Sequence, residues 1–569
     1  MVGAVARAAA PTTNCSAERA AEWRITNRPS TNRGTAEYTP RPSGLVARQP
    51  GSSRASRARR ARREKAACAT FRASRVTRVP EWQRSIPRPA CDVACTGGHR
   101  TPERDPRPRL PSIGALLSSS PSSRTTAFAL HALGSSARAF DGVAEAVADV
   151  LDVHAIDLPG FGDAAGMTGT SIPESVRHVE RAIRRSGATR WILIGHSMGG
   201  KIASVVAARA LAGESELFGL AGVVLLAASP PSPEPMEEER RRDMLSWAAD
   251  GRLDADAART FVDANVGARL HPDADALALD DVQRTSAAAW TAWLEDGSRE
   301  DLTDAVGTLD LPALILAGGE DGDLGEDAQR RLNGSVYPRA SVEALGGTGH
   351  LLPLERPLDV AHAVRDFWES TAGIGPAVPA DVAAVIASPR TSARTRGLLA
   401  RRAVADDPHA TPAALTDVQL ATLRVLADRI VPQDGAGIDI ALRVDAQLAA
   451  GGGDGWRNAD LPPDREAYAT ALDALAPLRT HSPREIDAVI TRLAAGEYDE
   501  HDALSAAQFA AWFEDARVDL VRQWLAHPAT MARIGFDGFA NGGDDVFTGF
   551  AILGADERED WEMLPVIAR

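Results

Sequence analysis

The chain has 569 residues, too many for one hydrophobic core, and its 44% hydrophobic and 25% charged residues are ordinary values for a soluble globular protein. The formal net charge of -14 hides two regions of opposite sign. Residues 1–124 hold 24 Lys and Arg against 8 Asp and Glu, whereas the remainder holds 39 against 69. No stretch reaches the roughly 18–20 apolar residues that span a bilayer, so we expect no transmembrane helix and no membrane partner.

Residues 1–122 form a basic arm rich in Arg, Ala, Ser and Pro, without helical or strand periodicity. Such a composition predicts disorder, because it buries too little apolar surface to offset the entropy of ordering. A nucleic-acid or membrane-surface arm and a twin-arginine export signal are alternatives, but no apolar run follows the arginine pairs. We favour plain disorder, or a start codon placed too far upstream, and predict no nucleic-acid partner.

All four cysteines lie in the basic arm, and the rest of the chain has none. A body built without disulfides fits a reducing compartment, so we expect a cytoplasmic protein. Cys91, Cys95 and His99 could suggest a metal site, but the spacing is loose and a fourth ligand is not obvious. We therefore predict neither a metal nor a cofactor.

From Thr125 onwards, short apolar strands alternate with helical segments. Strands are predicted in TTAFALHAL, VHAIDLPGFGD, TRWILIGHSMGG and LAGVVLLAAS, and helices in DGVAEAVADVL, SIPESVRHVERAIRRSG and KIASVVAARALAG. This alternation predicts an α/β domain over residues 123–373, with a mostly parallel sheet covered by helices on both faces.

Strands are absent from about residue 230 to 310, where acidic and alanine-rich helical patterns predict a helical lid. Trp247, Trp290 and Trp293 in this stretch could line an apolar pocket or form the lid's own core. A buried strand returns in LPALILAGGED, and PLDVAHAVRDFWES predicts the closing helix, which ends the unit near Gly373.

The sequence Gly195-His196-Ser197-Met198-Gly199 lies between a predicted strand and a predicted helix. That context is typical of a nucleophile elbow, in which a strained turn lifts a serine clear of the sheet and the glycines avoid clashes. We predict Ser197 as the nucleophile. The Met198 N–H, at the start of the helix, is a candidate oxyanion donor.

A serine nucleophile requires a base and an acid that orients the base. His350 lies in a late glycine-rich loop, GGTGHLLPLERP, and completes the chain order Ser, Asp, His. Glu320, Asp321 and Asp323 follow the strand ALILA, and we select Asp321, with Asp323 as the alternative. Leu133, in the loop after the first ordered strand, is predicted to supply the second oxyanion N–H.

These segments resemble the lidded serine members of the α/β-hydrolase fold family. The family blocks HGxG, DLPGFG, GHSMGG, AGxxD and GxGH correspond here to HALG, DLPGFG, GHSMGG, AGGED and GTGH. Ala132 stands where the family usually has glycine. The resemblance implies the fold and a Ser-His-Asp triad. A serine at position 197 argues against relatives with an aspartate nucleophile, and it leaves esterases, C–C bond hydrolases, prolyl aminopeptidases, lactonases and cofactor-free haloperoxidase-like members.

Residues 374–412 contain prolines and an arginine patch, and we interpret them as a linker. Residues 413–569 are predicted to be all-α, with helices at LTDVQLATLRVLADRIVP and near 438–450, 464–477, 482–495 and 505–526. This region resembles gluconate 2-dehydrogenase subunit 3 through LTDVQLATLRVLADRIVPQDG, GGGDGW and FDGFANGGDD. Four aspartates could bind a cation, although solvated acidic loops are favoured: Asp434, Asp439, Asp544 and Asp545.

Two hypotheses of function follow. The first is an esterase-like serine hydrolase that works through an acyl-serine intermediate on a small-molecule acyl substrate. The second, implied by the resemblance of residues 413–569, is an accessory subunit for a flavin-dependent dehydrogenase, with the hydrolase part as scaffold. An intact triad favours the first, because a scaffold has no need of one.

Overall fold

The computed structural model describes residues 125–452, 458–499 and 504–544, together with residues 552, 559, 561 and 562. The basic arm with its cysteines and His99 lies outside the described residues, so the statements made above about residues 1–122 stay predictions. In the part of the chain that is described, no helix is long and apolar enough to cross a membrane.

Six parallel strands form one sheet in the order β2-β1-β3-β4-β5-β6. Their bounds are Thr125–Leu130 (β1), Leu151–Ile156 (β2), Trp191–His196 (β3), Leu220–Leu226 (β4), Ala313–Gly318 (β5) and Ala340–Leu345 (β6). The predicted α/β class with a parallel sheet is confirmed. Chain order reverses beside β1, and the carboxyl ends of β3, β5 and β6 lead into the loops that carry the candidate site residues.

The four inner strands are buried along their whole length, whereas the edge strands β2 and β6 both contain exposed residues. Burial of both faces is expected of a parallel sheet covered by helices on each side. Trp191 and Leu193 of β3 face one apolar core, and Ile192 and Ile194 face the other.

Helices connect the strands and cover both faces. They span Asp141–Val147, Ile172–Ser186, Met198–Ala212, Thr303–Val306, Glu326–Leu332, Leu352–Glu355 and Pro357–Phe367. Helix Ile172–Ser186 begins at a capping box, in which the Ser171 side chain accepts from the N–H of Glu174 and the Glu174 carboxylate accepts from the N–H of Ser171. It ends at Gly187 with φ 68°, a left-handed conformation that favours glycine.

In the insertion between β4 and β5, the stretch predicted to be a lid, four helices precede the short helix Thr303–Val306. They span Glu238–Trp247, Ala255–Ala264, Pro272–Arg284 and Ala287–Ala292, followed by a π-helical turn at Trp293–Gly297. Their apolar side chains join the core on one face of the sheet. The insertion is therefore packed onto the sheet, above the carboxyl end of β3.

Residues 374–412, interpreted above as a linker, contain two helices, Ala380–Ala387 and Ala393–Ala403. Val382, Ile386 and Leu399 enter the same core as the sheet. Gly213 and Gly397 let the backbones of two helices approach closely, since a Cβ on Gly397 would lie 2.5 Å from the carbonyl oxygen of Ala212. Neither helix was predicted from the sequence, because both are short and rich in alanine and arginine, with few large apolar residues to reveal a period.

The remaining described residues form a helical region with its own core. Its helices span Asp417–Ile430, Ile440–Ala449, Asp464–Ala474, Pro483–Ala495, Ala506–Leu525 and Pro528–Arg533. The predicted all-α character is confirmed. Leu420, Leu423 and Leu426 pack with Phe509 and Trp512 in a cluster separate from the two cores of the sheet.

Candidate active site

Ser197 occupies a sharp turn between β3 and helix Met198–Ala212. Its φ of 49° and ψ of -118° place a residue with a side chain in a region that favours glycine, which is the strain expected of a nucleophile elbow. A Cβ on Gly195 would lie 2.6 Å from the Cα of Gly200, and one on Gly199 would lie 2.3 Å from the carbonyl oxygen of Leu130. The two glycines are thus required for the turn to fit.

His350 and Asp321 are joined by a hydrogen bond. The Nδ1 of His350 lies 2.7 Å from Oδ2 of Asp321, and Oδ1 of Asp321 accepts from the N–H groups of Asp323 at 3.1 Å and Leu324 at 3.0 Å. Asp321 follows β5 and His350 lies in the loop after β6, so neighbouring strands bring the two residues together. This arrangement leaves Nε2 of the imidazole free of the carboxylate.

The electrostatics of the pair reinforce its geometry. Burial would by itself raise the pKa of Asp321, but the hydrogen bond and charge of His350 and the two backbone N–H groups hold that pKa at about 2. For His350, burial favours the neutral ring, yet Asp321 outweighs burial and raises the pKa of the imidazole. Asp321 is therefore ionised near neutral pH and favours an imidazolium on His350.

His196, the residue before Ser197 in the elbow motif, is hydrogen-bonded to the loop that carries His350. It is fully buried, and its Nε2 lies 2.7 Å from the carbonyl oxygen of His350, which can only accept. Burial, together with the nearby His350, lowers the pKa of His196 to about 3, so the ring is neutral and Nε2 carries the proton. On the other side, the N–H of His350 donates to the carbonyl oxygen of Asn265 in the insertion at 2.8 Å.

The candidate oxyanion loop, residues 131–136, is fixed by a second buried histidine. The Nε2 of His131 accepts from the N–H of Leu158 at 3.0 Å, so Nδ1 carries the proton and donates to the carbonyl oxygen of Ala132 at 2.8 Å. Burial lowers the pKa of His131 to about 4. Ala132, at the position where a glycine was expected, is itself buried.

Ser197, His350, Asp321 and Leu133 line one cavity of about 210 Å³. Met198 is buried at the first position of its helix, where backbone N–H groups lack an intrahelical acceptor. Within the described part of the chain, no hydrogen bond joins the Ser197 hydroxyl to His350. Catalytic hydrogen bonds often tighten only in the substrate complex.

Both apolar and charged side chains line the cavity. The apolar ones are Leu133, Met236, Met244, Phe261 and Trp293, and the charged ones include Glu234, Arg240, Glu320, Asp321 and Asp323. Most of the apolar residues come from the insertion. The insertion therefore shapes the space in front of Ser197.

The three tryptophans of the insertion differ in position. Trp293 lines the cavity, whereas Trp290 is fully buried and its Nε1 donates to the carbonyl oxygen of Met244 at 2.8 Å. Trp247 packs against Trp290, with ring centroids 6.2 Å apart. Trp290 thus belongs to the core of the insertion, and Trp293 to the wall of the cavity.

Asp323, the alternative acid, is engaged elsewhere. Its carboxylate pairs with Arg240 of helix Glu238–Trp247, and this pair links the insertion to the loop after β5. Arg240 also lies 3.5 Å from the side-chain oxygen of Asn265. The structure therefore places Asp321, and not Asp323, against His350.

Lys201, one turn after Ser197, was missed by the sequence analysis. It is fully buried, and its Nζ donates to the carbonyl oxygens of Ser232, Gly297 and Glu300 at 3.2, 3.0 and 2.5 Å. Ser232 lies near the beginning of the insertion, and Gly297 and Glu300 lie near its end. Lys201 therefore links the two ends of the insertion through hydrogen bonds. Burial lowers the pKa of Lys201 to about 8.

Glu234, which was also not predicted from the sequence, is another carboxylate that lines the cavity. Its Oε2 accepts from the Ser229 hydroxyl at 2.5 Å, and burial raises its pKa despite that bond. Neither Lys201 nor Glu234 lies in a motif, and their long-range contacts leave no local signal in the sequence.

Two of the aspartates considered as cation ligands, Asp439 and Asp544, are engaged by other groups. Asp439 caps helix Ile440–Ala449 and pairs with Arg424, and Asp544 accepts from the N–H of Ala393. Asp545 lies outside the described residues. Among the residues that the structure does describe, no group of three or more His, Cys, Asp or Glu side chains is placed to hold a metal ion.

Comparison with known proteins finds relatives of the part of the chain that carries the site. Residues 128–363 match the model of the alpha/beta hydrolase family. A 2-succinyl-6-hydroxy-2,4-cyclohexadiene-1-carboxylate synthase from Serratia proteamaculans is 29% identical over 37% of this chain and 81% of that protein. A pimeloyl-[acyl-carrier protein] methyl ester esterase from Neisseria meningitidis is 28% identical over 37% of this chain and 67% of that protein.

Among solved structures, an esterase from Exiguobacterium antarcticum superposes with a TM-score of 0.39 at 15% identity, over 43% of this chain and 92% of that structure. The family match ends at residue 363, so the resemblance of residues 413–569 to gluconate 2-dehydrogenase subunit 3 rests on the sequence motifs alone. Residues 128–363, which match the family model, therefore have the alpha/beta hydrolase fold.

Proposed function

We propose that this protein is a serine hydrolase that cleaves an ester or related acyl substrate through an acyl-serine intermediate. One observation carries the proposal: the 2.7 Å hydrogen bond between His350 and Asp321 lies beside a strained Ser197 in a shared cavity. A nucleophile, a base and an acid that orients the base are the groups acyl transfer needs.

In the proposed mechanism, Oγ of Ser197 attacks the substrate carbonyl carbon while Nε2 of His350 takes the serine proton. The N–H groups of Leu133 and Met198 stabilise the negative oxygen of the tetrahedral intermediate. Collapse of the intermediate expels the alcohol, which takes the proton back from His350, and leaves the acyl group on Ser197. A water molecule, deprotonated by His350, then attacks the acyl-serine. The serine oxygen leaves, takes that proton from His350, and the acid is released.

The charge distribution supports the first step. An ionised Asp321, with a pKa near 2, stabilises the imidazolium that forms as Ser197 loses its proton. The carboxylate also fixes the ring, because Nδ1–H must point towards it and Nε2 is then the nitrogen that accepts a proton. Both effects lower the barrier without requiring a group outside the chain.

The proposed substrate is an ester with a short acyl chain. The cavity of about 210 Å³ is lined in part by methionine, phenylalanine and tryptophan side chains against which an acyl chain can pack. Names of relatives point to ester and acyl chemistry, since one of them is a methyl ester esterase.

A screen of p-nitrophenyl esters of graded chain length tests the proposal, with Ser197→Ala as its control. We expect turnover that peaks at short chains, and a loss on the order of 10⁴-fold or more in the variant. Near-normal turnover by correctly folded Ser197→Ala protein would sink the proposal.

The second hypothesis, an accessory role for a flavin-dependent dehydrogenase, rests on the sequence motifs of residues 413–569. It stays a prediction, and it is compatible with hydrolysis, because the candidate site lies wholly within residues 128–363. Capture of flavin-containing material by the full chain from its own cell extract, read by flavin absorbance, would support it. Equal capture by a chain that ends at residue 412 would remove that role from the helical region.

A further inference from the structure

A second cavity, which shares no lining residue with the candidate active site, lies where three parts of the chain meet. It has a volume of about 480 Å³. Arg339 lines it from the sheet unit, the segment from Leu398 to Ala413 forms one wall, and helix Ile440–Ala449 forms another. We call this cavity the arginine groove.

Arg402, in helix Ala393–Ala403, lines the arginine groove with its charge uncompensated. The side chain is half-buried, yet its guanidinium has no hydrogen-bond or ion-pair acceptor among the described residues. Burial lowers its pKa, and so do the cations of Arg443 and Arg401, with no carboxylate acting in the opposite direction. A half-buried guanidinium normally has an oxygen partner, so a partner is missing here.

Arg339, across the groove, is also incompletely compensated. Its Nη2 donates to the carbonyl oxygen of Ala405 at 2.8 Å, but the nearest carboxylate oxygen, on the exposed Asp310, is 3.7 Å from Nη1. The buried Nε–H has no acceptor within the described residues. Two guanidinium groups with unfilled hydrogen-bonding capacity, those of Arg339 and Arg402, therefore line the cavity.

The carboxylates of the groove are already committed to other groups. Asp445 accepts from the backbone N–H groups of Ala413, Ala414 and Leu415. Asp406 pairs with Arg443 at 2.8 Å and accepts from the N–H of Asp439, and Asp407 accepts from the N–H of His409. None of them bonds to Arg402.

Apolar side chains complete the lining. Leu398 is 40% exposed, which is unusual for a leucine, and Val404 and Leu442 lie on the same cavity. A cavity with guanidinium groups beside exposed aliphatic surface suits a ligand with an anionic head and an apolar portion.

From these contacts we propose that the arginine groove binds a small molecule that carries an oxyanion, a phosphate or a carboxylate, on a short apolar chain. The oxyanion accepts from the Arg402 fork in two parallel hydrogen bonds, and the apolar chain lies against Leu398 and Leu442. The site is separate from Ser197, and its existence does not depend on the proposed hydrolysis.

Isothermal titration calorimetry on the full chain tests the proposal, with hexyl phosphate and hexanoate as probes at matched ionic strength. We expect saturable binding of at least one probe. Arg402→Gln should weaken that binding by at least about tenfold, because a hydrogen bond to a charged group is lost. Arg402→Lys, which keeps the charge, should retain part of it.

Arg394→Gln is the matched control, since Arg394 is an exposed arginine of the same helix that does not line the groove. The Arg394→Gln variant should bind the two probes with the same affinity as the parent protein. Unliganded Arg402→Gln should melt no lower than the parent, because the substitution removes a charge repelled by two others. The proposal would be overturned if neither probe bound saturably, or if Arg402→Gln and Arg394→Gln bound with equal affinity. If the proposal holds, tighter binding of hexyl phosphate assigns a phosphate ligand, and tighter binding of hexanoate assigns a carboxylate ligand.

Discussion

At the residue scale, Asp321 and Asp323 are carboxylates two positions apart in different surroundings. Asp321 is buried against His350 and two backbone N–H groups, whereas Asp323 is half-exposed and pairs with Arg240. Sequence spacing alone left both open as the acid of the triad. The contacts assign them different roles, of which only the first touches the base.

We predict that Asp321→Asn lowers kcat for ester hydrolysis by about 10⁴-fold, because the histidine loses the anion that orients it and stabilises its charge. Asp323→Asn is the matched control and should change kcat by less than about fivefold, since a partly exposed ion pair contributes roughly 0–1 kcal/mol. The reverse ranking would assign the acid to Asp323.

The same pair predicts a pH effect. Hydrolysis requires neutral His350, so the rate falls as the pH drops through its pKa, which Asp321 raises. Without that anion the imidazolium is less stable, the pKa of His350 falls, and the residual activity of Asp321→Asn should persist to lower pH. Profiles of kcat/KM against pH for the parent protein and for Asp321→Asn measure this shift of the acidic limb. An acidic limb at the same pH in both proteins would contradict a role for Asp321 in the charge of His350.

At the element scale, the loop that carries His350 is held by close backbone contacts. A Cβ on Gly318, at the end of β5, would lie 1.9 Å from the carbonyl oxygen of Gly349. The Cβ would be attached directly to the backbone of Gly318, and the oxygen belongs to the backbone of Gly349. Rotation of a side chain therefore cannot relieve the clash. The position of His350 therefore depends on a glycine that carries no chemistry of its own.

Gly318→Ala should lower kcat on the order of 10²-fold by displacing the His350 loop, since a shift of about 1 Å can cost that much. Gly346→Ala, at the start of the same loop, adds a Cβ with no heavy atom within 4 Å and serves as the control. Steady-state kinetics and melting temperatures are measured for both. Equal kcat values in the two variants would show that the loop absorbs the extra atom.

At the scale of the whole molecule, helices Ala380–Ala387 and Ala393–Ala403 belong to the body of the hydrolase unit. Arg396 is buried, and its guanidinium donates to the carbonyl oxygens of Ile386, Ser388 and Thr391 and to that of Gly213 at 2.6 Å. One side chain thus ties the segment between the two helices to helix Met198–Ala212.

We expect Arg396→Met to lower the free energy of unfolding by roughly 3 kcal/mol, because several buried carbonyls lose their donor. The exposed Arg394 gives the matched control, Arg394→Met, which should leave stability unchanged. Denaturant unfolding of both variants checks the difference. Equal midpoints would mean that residues 374–412 act as a linker after all.

The sequence predicted the sheet, the helical insertion and the positions later found around the cavity, because strand–turn–helix alternation and the G-x-S-x-G turn are local signals. Asp321 was favoured over Asp323 by spacing, and the structure adds the contact with His350. Three features were not predicted from the sequence. They are the hydrogen bond from His196 to the carbonyl oxygen of His350, the bonds from Lys201 to three carbonyl oxygens of the insertion, and the helices Ala380–Ala387 and Ala393–Ala403. Each depends on contacts between segments distant in the chain, and neither a period nor a motif records such contacts.

The central claim, that Ser197 is an activated nucleophile, is tested most directly by labelling the protein with a fluorophosphonate and locating the adduct by mass spectrometry of its peptides. The account predicts one adduct per chain, on Ser197, formed far more slowly in His350→Ala and absent in Ser197→Ala. An adduct on another residue, or equal labelling of the parent protein and Ser197→Ala, would contradict it.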